Sequence, residues 1–503
     1  MQLLIRRSGN MIDLSPDGYN VLPPSIVELL DPYLQYTYKR VLRGAESYDL
    51  TGHRDGMEIT PLRLYKINSE GRLETGYGYI PRLASVLGHA GHDVRFQDLT
   101  PPSPDRPLCY EPVWDNVLRH NIQFRPRQMD LITAVMNNLG GIINAPTGFG
   151  KTFLLWVLAL LYPHARIAIV VKSVEVADKI VRRLTAVMPN VGFVSGKGKK
   201  TQGRLTVYTA GSMHHCDGDV DFLFADEVHQ LMSPKHSEDI GCIFRRPRCF
   251  GLTATPEGRM DGAGAKLECY FGPEIFRMTY AEAVALGLVV PIYVNWLTVA
   301  LNCNPAHNKT GVPKMRWGIW RNQERNAVIA NDARQYPADM QVLINVATFD
   351  HAVHLWQCLP EYQLCYAAAD ANRLEDIEHY KRNNLLPTLF RPVTPDGRYQ
   401  MQRDFESKRL LRVIATDVWS TGVDFEQLQV FYNISARQSE ILDVQGPGRT
   451  SRVFEGKEYG EVKDCIDVFD KGFKRKSDER RSHYRKIGWE DNWPSAKRNI
   501  SIL

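Results

Sequence analysis

Ile142-Ile143-Asn144-Ala145-Pro146-Thr147-Gly148-Phe149-Gly150-Lys151-Thr152 is the stretch from which the rest of the chain can be placed. A short apolar run, Gly141 to Ile143, leads into a loop with two glycines, and the apolar run Phe153 to Leu161 follows it. That pattern predicts strand, loop and helix. Glycines let a backbone curl until successive N–H groups and the positive end of the following helix point at one anion. The loop Pro146, Thr147, Gly148, Phe149 and Gly150 is thus a phosphate cradle; Lys151 can reach β- and γ-phosphates, and the Thr152 hydroxyl can hold Mg²⁺. Ala145 stands at the first position of the pattern, where glycine is usual.

At 503 residues the chain should hold about three or four domains. Its 44% hydrophobic and 24% charged residues describe a globular protein with ample material for several cores. A net charge of +5 permits a polyanionic partner without requiring one. The longest apolar run, Phe153 to Tyr162, is about half a membrane span, and the N-terminus lacks the apolar core of a signal peptide. The expectation is a cytoplasmic protein of a bacterial or phage-infected cell, with no membrane contact. Nine cysteines form no C-x-x-C pair, and the spacings of Cys242/Cys249 and Cys358/Cys365 match no zinc pattern, so they read as reduced packing residues.

Residues 1–118 alternate short segments in the manner of a small α+β accessory domain. Ile26, Leu29 and Leu30 after Pro23-Pro24 read as a helix; Leu62 to Tyr65 and Val94 to Phe96 read as strands, with a helix from Tyr79 to Leu87 between them. Its basic residues, Arg6, Arg7, Lys39, Arg40, Arg43, Arg63 and Lys66, are either phosphate contacts or a solvated face. Pro101-Pro102-Ser103-Pro104 and Pro107 make a stiff break.

Beyond 119, strands alternate with helices, which predicts an α/β fold with parallel sheets. Arg125 and Gln128 precede a helix ahead of the phosphate loop, and a glutamine amide offers the donor and acceptor that suit an adenine edge. Strand Ile167 to Val171, helix Val174 to Leu184, the basic loop Gly196 to Lys200 and strand Leu205 to Tyr208 follow. The apolar run Phe222 to Ala225 ends in Asp226-Glu227-Val228-His229. A carboxylate at the tip of a buried strand, beside a phosphate loop, suits Mg²⁺, and Glu227 can orient and deprotonate a water. The next strand ends in Thr253-Ala254-Thr255-Pro256, whose hydroxyls can bond Asp226 or His229.

Ala-x-x-Gly-x-Gly-Lys-Thr, Asp-Glu-Val-His and Thr-Ala-Thr-Pro, in this order, resemble motifs I, II and III of superfamily 2 helicases. Thr209 and Ser212 look like motif Ib, and Gln128 resembles the adenine-reading glutamine. Thr255 to Gly262 is similar to the Thr-Pro-x-Arg-x-Asp form of the DEXH subgroup that includes RecG, XPB and the phage UvsW type. The resemblance covers about 120 to 480.

It implies two tandem RecA-like domains, 119–292 and 293–480, followed by a basic tail at 481–503. Gln341 to Val346 with the helix from Thr348 resembles motif IV. Arg412 to Asp417, with Thr416, and Ser420 to Asp424, with Gly422 and Asp424, look like motif V. Gln445-Gly446-Pro447-Gly448-Arg449-Thr450-Ser451-Arg452 resembles motif VI, with Gly446 where an arginine is often found and a proline that can shorten its helix. Leu385 to Tyr399, with three prolines and a Pro-Asp-Gly sequence, reads as a loop. Residues 471–486 carry eight Lys and Arg with Tyr484 and Trp489 nearby, which suits either a nucleic-acid contact or a solvated helix.

The resemblance implies an ATP-dependent DNA helicase or translocase acting on branched or forked DNA in replication, recombination or repair, monomeric, alone or with proteins of those processes. ATP and Mg²⁺ would be held by Lys151, Thr152 and Asp226, with Glu227 as base, Arg449 and Arg452 on the γ-phosphate, and His229, Gly422, Asp424 and Gln445 sensing the nucleotide. Thr209, Ser212, Thr348 and Thr416 would touch the nucleic acid. An RNA helicase lacks support because the Asp-Glu-Ala-Asp form is absent. A passive nucleic-acid clamp has no need of Lys151, Glu227 and both arginines, and a small-molecule kinase would lack the duplicated half.

Overall fold

The computed structural model describes residues 1–19, 21–41, 57–99, 111–196, 200–231, 240, 248–254, 264–367, 371–419, 425–437 and 440–489. The chain forms two compact units: Met1–Pro146 with Gly150–Met278, and Thr147–Phe149 with Thr279–Leu503.

The first unit is built on an eight-stranded sheet. Its order is Lys200–Thr201, Val191–Val194, Leu205–Thr209, Ile167–Val171, Phe222–Asp226, Arg248–Thr253, Gly140–Asn144 and Glu274–Arg277. All neighbours are parallel except the first pair. Such strands are covered on both faces and therefore read as unbroken apolar runs; every residue of Ile167–Val171 and of Arg248–Thr253 is buried. Helix Val174–Thr185 starts where the Ser173 hydroxyl accepts the Val176 N–H, the usual way to satisfy a first-turn donor.

A five-stranded sheet from the N-terminal residues belongs to the same unit. Its order is Tyr65–Ile67, Leu73–Gly76, Met11–Pro16, Gln2–Ser8 and Asp93–Asp98, antiparallel apart from the last pair. A separate antiparallel ribbon pairs Gln35–Val41 with Met57–Arg63. The five-stranded sheet is fused to the parallel one by buried contacts. The Tyr77 hydroxyl donates toward the carbonyls of Cys249 and Phe271 at 3.3 and 3.2 Å, and the Arg82 guanidinium embraces the Glu268 carboxylate, Nε to Oε1 at 2.9 Å. Tyr77 and Leu83 share one apolar cluster with Cys249, Leu267 and Phe271.

The second unit has a six-stranded, wholly parallel sheet: Ile292–Val299, Gly460–Asp467, Val430–Asn433, Val342–Asn345, Arg412–Ala415 and Gln363–Cys365. The sheets are those of tandem RecA-like domains, as expected. Two local expectations are corrected. Leu385 to Tyr399 is not all loop: a helix spans Pro395–Glu406, with Thr394 accepting the Gly397 N–H at 3.0 Å and Pro395 in the first turn, where a missing N–H costs nothing. Nor do Tyr484 and Trp489 interleave with exposed basic residues. Helix Lys471–Ile487 packs on its sheet with Arg480 bound to Asp464 at 2.8 Å and the Tyr484 hydroxyl donating to Asp464 at 2.8 Å, and Tyr484 and Trp489 are both buried. Residues 481–489 thus continue a packed helix and its cap, and 490–503 lie outside the described residues. Among the described residues no helix is long and apolar enough to cross a membrane, and no group of three or more His, Cys, Asp or Glu side chains is placed to hold a metal.

Candidate nucleotide-hydrolysis site

In parallel α/β sheets ligands gather beyond the carboxyl ends of the strands, and the motifs of the first unit meet there. Strand Gly140–Asn144 delivers the loop, and helix Lys151–Leu161 leaves it. Gly148 and Gly150 sit at φ +104° and +97°, a region that side-chain-bearing residues rarely adopt, so the curl of the loop depends on them. Phe149 is fully buried. The Ala145 N–H donates to the Thr253 carbonyl at 3.0 Å, tying loop and neighbouring strand end together.

Lys151 lies at the first helical position. Its Nζ is 3.3 Å from the Ala145 carbonyl and 3.8 Å from Oε1 of Glu227. Glu227 has φ +47°, an uncommon left-handed setting for a non-glycine residue, as backbone held for function often is. Beside it, His229 is fully buried; its Nδ1 lies 2.9 Å from the Thr253 hydroxyl and 3.6 Å from Oε2 of Glu227. The expected link between motif III hydroxyls and His229 is therefore present through Thr253, while Thr255 to Gly262 fall outside the described residues.

Asp226 ends strand Phe222–Asp226. Burial, then the neighbouring Glu227 carboxylate, push its carboxyl up to about 6, against the pull of Lys151. Its Oδ1 is buried and finds no hydrogen-bond partner among the described residues. A buried carboxylate oxygen left unpaired is costly, and this donor set, with the Thr152 hydroxyl at the start of the helix, suits a hard divalent cation such as Mg²⁺.

Gln128 is buried at the start of helix Gln128–Asn137, where its Oε1 accepts the Arg125 N–H at 2.9 Å, and its Nε2 would stand 3.1 Å from a Cβ added at Gly150. The amide is thus fixed beside the phosphate loop, while Arg125 itself is exposed. Thr209 and Ser212 are both buried, and their side chains are hydrogen-bonded to each other at 2.9 Å.

In the second unit, Thr348 caps helix Phe349–Trp356, its hydroxyl accepting the His351 N–H at 3.1 Å. Thr416 follows strand Arg412–Ala415, and its N–H donates to the Cys365 carbonyl at 3.0 Å. Gly422 and Asp424 lie outside the described residues. Gln445 ends helix Glu440–Gln445, and Pro447 opens a separate short 3₁₀ turn, Pro447–Ser451. The two arginines differ in setting: Arg449 is buried inside that turn with its guanidinium donating to the Trp419 carbonyl, whereas Arg452 caps the turn in extended conformation and is only half-buried. Asp443 and His483, described below, carried no sequence signal.

A phosphate loop with its lysine, an acidic strand tip with an unpaired oxygen and a second parallel sheet of the same kind define a P-loop nucleoside-triphosphate hydrolase of the tandem RecA class. The family model for the type III restriction enzyme res subunit matches residues 121–258. The DNA 3'-5' translocase XPB2 of Sulfurisphaera tokodaii is 28% identical over 335 residues, covering 61% of this chain and 74% of that protein. Among solved structures, S. cerevisiae Dbp5 bound to RNA and ADP BeF3 shares 13% identity with a TM-score of 0.51, over 77% of this chain and 95% of that one. T4 UvsW shares 14% identity over 98% of both chains with a TM-score of 0.41. The chain is thus similar to the superfamily 2 helicases over residues 121–258 and to the XPB-like translocases, and these similarities support an ATPase stimulated by nucleic acid.

Proposed function

We propose that the protein is an ATP-driven DNA translocase that remodels branched or forked DNA, by branch migration, fork regression or annealing. The observation that carries the motor is the convergence of Lys151, Asp226 and Glu227 on one strand tip, with Lys151 Nζ 3.8 Å from Glu227. The loop and Lys151 bind the phosphates, and Gln128 orients the base. Mg²⁺, held by Thr152 and Asp226, would neutralise charge on the β- and γ-phosphates. Glu227 takes the proton of the attacking water as the bond between the γ-phosphorus and the bridging oxygen breaks, leaving ADP and phosphate. Arg449 and Arg452 supply positive charge to the γ-phosphate, and His229 with Thr253 relays its presence.

DNA as the track is supported by the relative described as a DNA 3'-5' translocase; movement with that polarity is part of the proposal. The branched substrate is supported by the subgroup resemblance and by the small N-terminal module ahead of the core. We keep 1–118, 119–292 and 293–480 as its functional modules, and place the activity in a monomer in the cytoplasm of a bacterial or phage-infected cell, serving replication, recombination or repair. The test is the ATPase rate alone and with single-stranded DNA, duplex, a four-way junction and RNA, each at two salt concentrations. Largest stimulation by the junction supports the reading. Stimulation by RNA alone overturns the substrate and spares the motor.

A further inference from the structure

In the second unit, helix Glu440–Gln445 leads into the 3₁₀ turn Pro447–Ser451, and Arg452 stands at the end of that turn. Helix Lys471–Ile487 and its cap reach both. Val444 shares one apolar cluster with Tyr484 and Trp489, and a Cβ added at Gly448 would stand 3.8 Å from the Trp489 ring.

One polar contact joins the two helices. Asp443 is 1% exposed, and its Oδ2 lies 3.1 Å from Nδ1 of His483. Among the described residues its carboxylate has no other hydrogen bond. The remaining polar groups on this face of the long helix are engaged elsewhere: Arg480 and the Tyr484 hydroxyl bond Asp464 at 2.8 Å each, and Asn433 Nδ2 donates to the Tyr484 oxygen at 2.7 Å. A buried carboxylate with a single donor depends on that donor, because without it the charge must find water or a proton. Helix Glu440–Gln445 can meet that need only by shifting, and it carries the arginine turn with it. His483 itself sits at the rim, its side chain 25% exposed, so replacing it empties little of the core.

We propose that His483 is a positioning residue for ATP hydrolysis: its hydrogen bond to Asp443 fixes helix Glu440–Gln445, and with it the direction in which Arg452 is presented. The inference rests on the reading of Arg449 and Arg452 as γ-phosphate groups, and adds the residue that sets them. A charge needed only in the transition state is sensitive to such placement, while binding of the ground state is not.

The test measures ATPase kinetics of the full-length protein with single-stranded DNA, with thermal unfolding alongside. His483→Ala should lower kcat about tenfold to a hundredfold and leave KM for ATP within about twofold. His483→Gln, whose amide still donates, should restore most of kcat. Adding Asp443→Asn to His483→Ala should restore part of it, since no buried charge is then left unpaired. Lys474→Gln, exposed on the same helix and paired with Asp478, is the control. If His483→Ala fails to fold, His483→Gln and the double variant carry the comparison: kcat near wild type in the first, and a lowered kcat with unchanged KM in the second, support the role, and equal kcat in the two overturns it. A folded His483→Ala protein that matches Lys474→Gln overturns it, as does a loss that His483→Gln shares in full or that falls on KM alone. Arg449→Ala and Arg452→Ala are measured beside these variants. Normal turnover in both would remove the underlying reading, whereas loss in either with normal turnover in His483→Ala would remove the positioning role alone.

Discussion

Lys151 and Glu227 face each other across the tip of the parallel sheet at 3.8 Å, so the proposed phosphate-binding group and the proposed base are electrostatically joined. On the proposed mechanism, phosphate oxygens arriving at the loop would compete for Lys151 and loosen its hold on Glu227, coupling substrate arrival to the readiness of the base. Lys151→Ala should therefore lower kcat by at least about a hundredfold, measured as phosphate release with and without DNA. Near-normal ATPase in that variant would sink the assignment of the loop.

On the proposed mechanism, His229 reads the same site through Thr253. Its ring is fully buried, and Nδ1 has the Thr253 hydroxyl at 2.9 Å and the Glu227 carboxylate at 3.6 Å as neighbours. Thr253→Val keeps the shape and removes one hydrogen bond worth about 1 kcal/mol, so kcat should fall roughly threefold to tenfold with KM for ATP little changed. A rise in KM with unchanged kcat would mean that Thr253 serves binding instead.

How much of this was legible in the sequence depends on the distance over which the cause acts. The phosphate loop, the acidic strand tip and the Thr253 strand end are written in adjacent residues, because backbone curl and strand burial are local. The helix from Pro395 was misread because Pro-Asp-Gly also suits a turn; the preceding Thr394, a good cap, was the discriminating signal. The buried face of helix Lys471–Ile487, with Phe473, Ser477, Arg480 and Tyr484 at helical spacing, was likewise present but hidden by its charge. The contact of Asp443 with His483 was out of reach, since two residues 40 apart meet only after folding and no local pattern links them.

Asp226 gives a pH dependence of definite sign. Its carboxyl is raised from 3.8 to about 6 by burial and by Glu227, so the fold favours its protonated form. Between those values the folded protein binds more protons than the unfolded chain, and this group's contribution to stability falls as pH rises from about 4 to 6. At pH 8 without divalent cation, Asp226→Asn should raise Tm, the gain being at most about 3 kcal/mol, while abolishing turnover. For wild type, the Mg²⁺ concentration giving half-maximal ATPase should increase as pH falls through 6, since the cation must displace a proton. A flat Mg²⁺ requirement from pH 8 to 5.5 would contradict this.

Arg449 and Arg452 should separate experimentally. Arg449 is buried and donates to the Trp419 carbonyl within its own unit, so Arg449→Ala should cost about 1.5–3 kcal/mol of stability as well as activity. Arg452, half-buried at the end of the 3₁₀ turn, should when replaced by alanine leave Tm within a few degrees yet lower kcat by about 10³ or more. Thermal unfolding alongside ATPase kinetics distinguishes them, and the reverse pattern would make Arg449 the catalytic finger.

The N-terminal sheet should behave as part of the first unit. Gly78 lies in the short 3₁₀ turn Tyr77–Tyr79, and a Cβ there would collide with the Glu268 carbonyl on helix Gly264–Phe271. Neither partner can yield, because the obstacle is backbone and Tyr77 is itself tied to the Cys249 and Phe271 carbonyls. Gly78→Ala should therefore cost about 1–3 kcal/mol and open the seam, making the N-terminal residues cleavable by trypsin at concentrations that leave wild type intact. Arg82→Ala, which removes the part-exposed pair with Glu268 and the contacts to the Tyr33 carbonyl and the Tyr79 ring, should have a smaller effect on the same cleavage than the backbone collision at Gly78. If both variants resist trypsin as wild type does, the two sheets are held by contacts other than this seam.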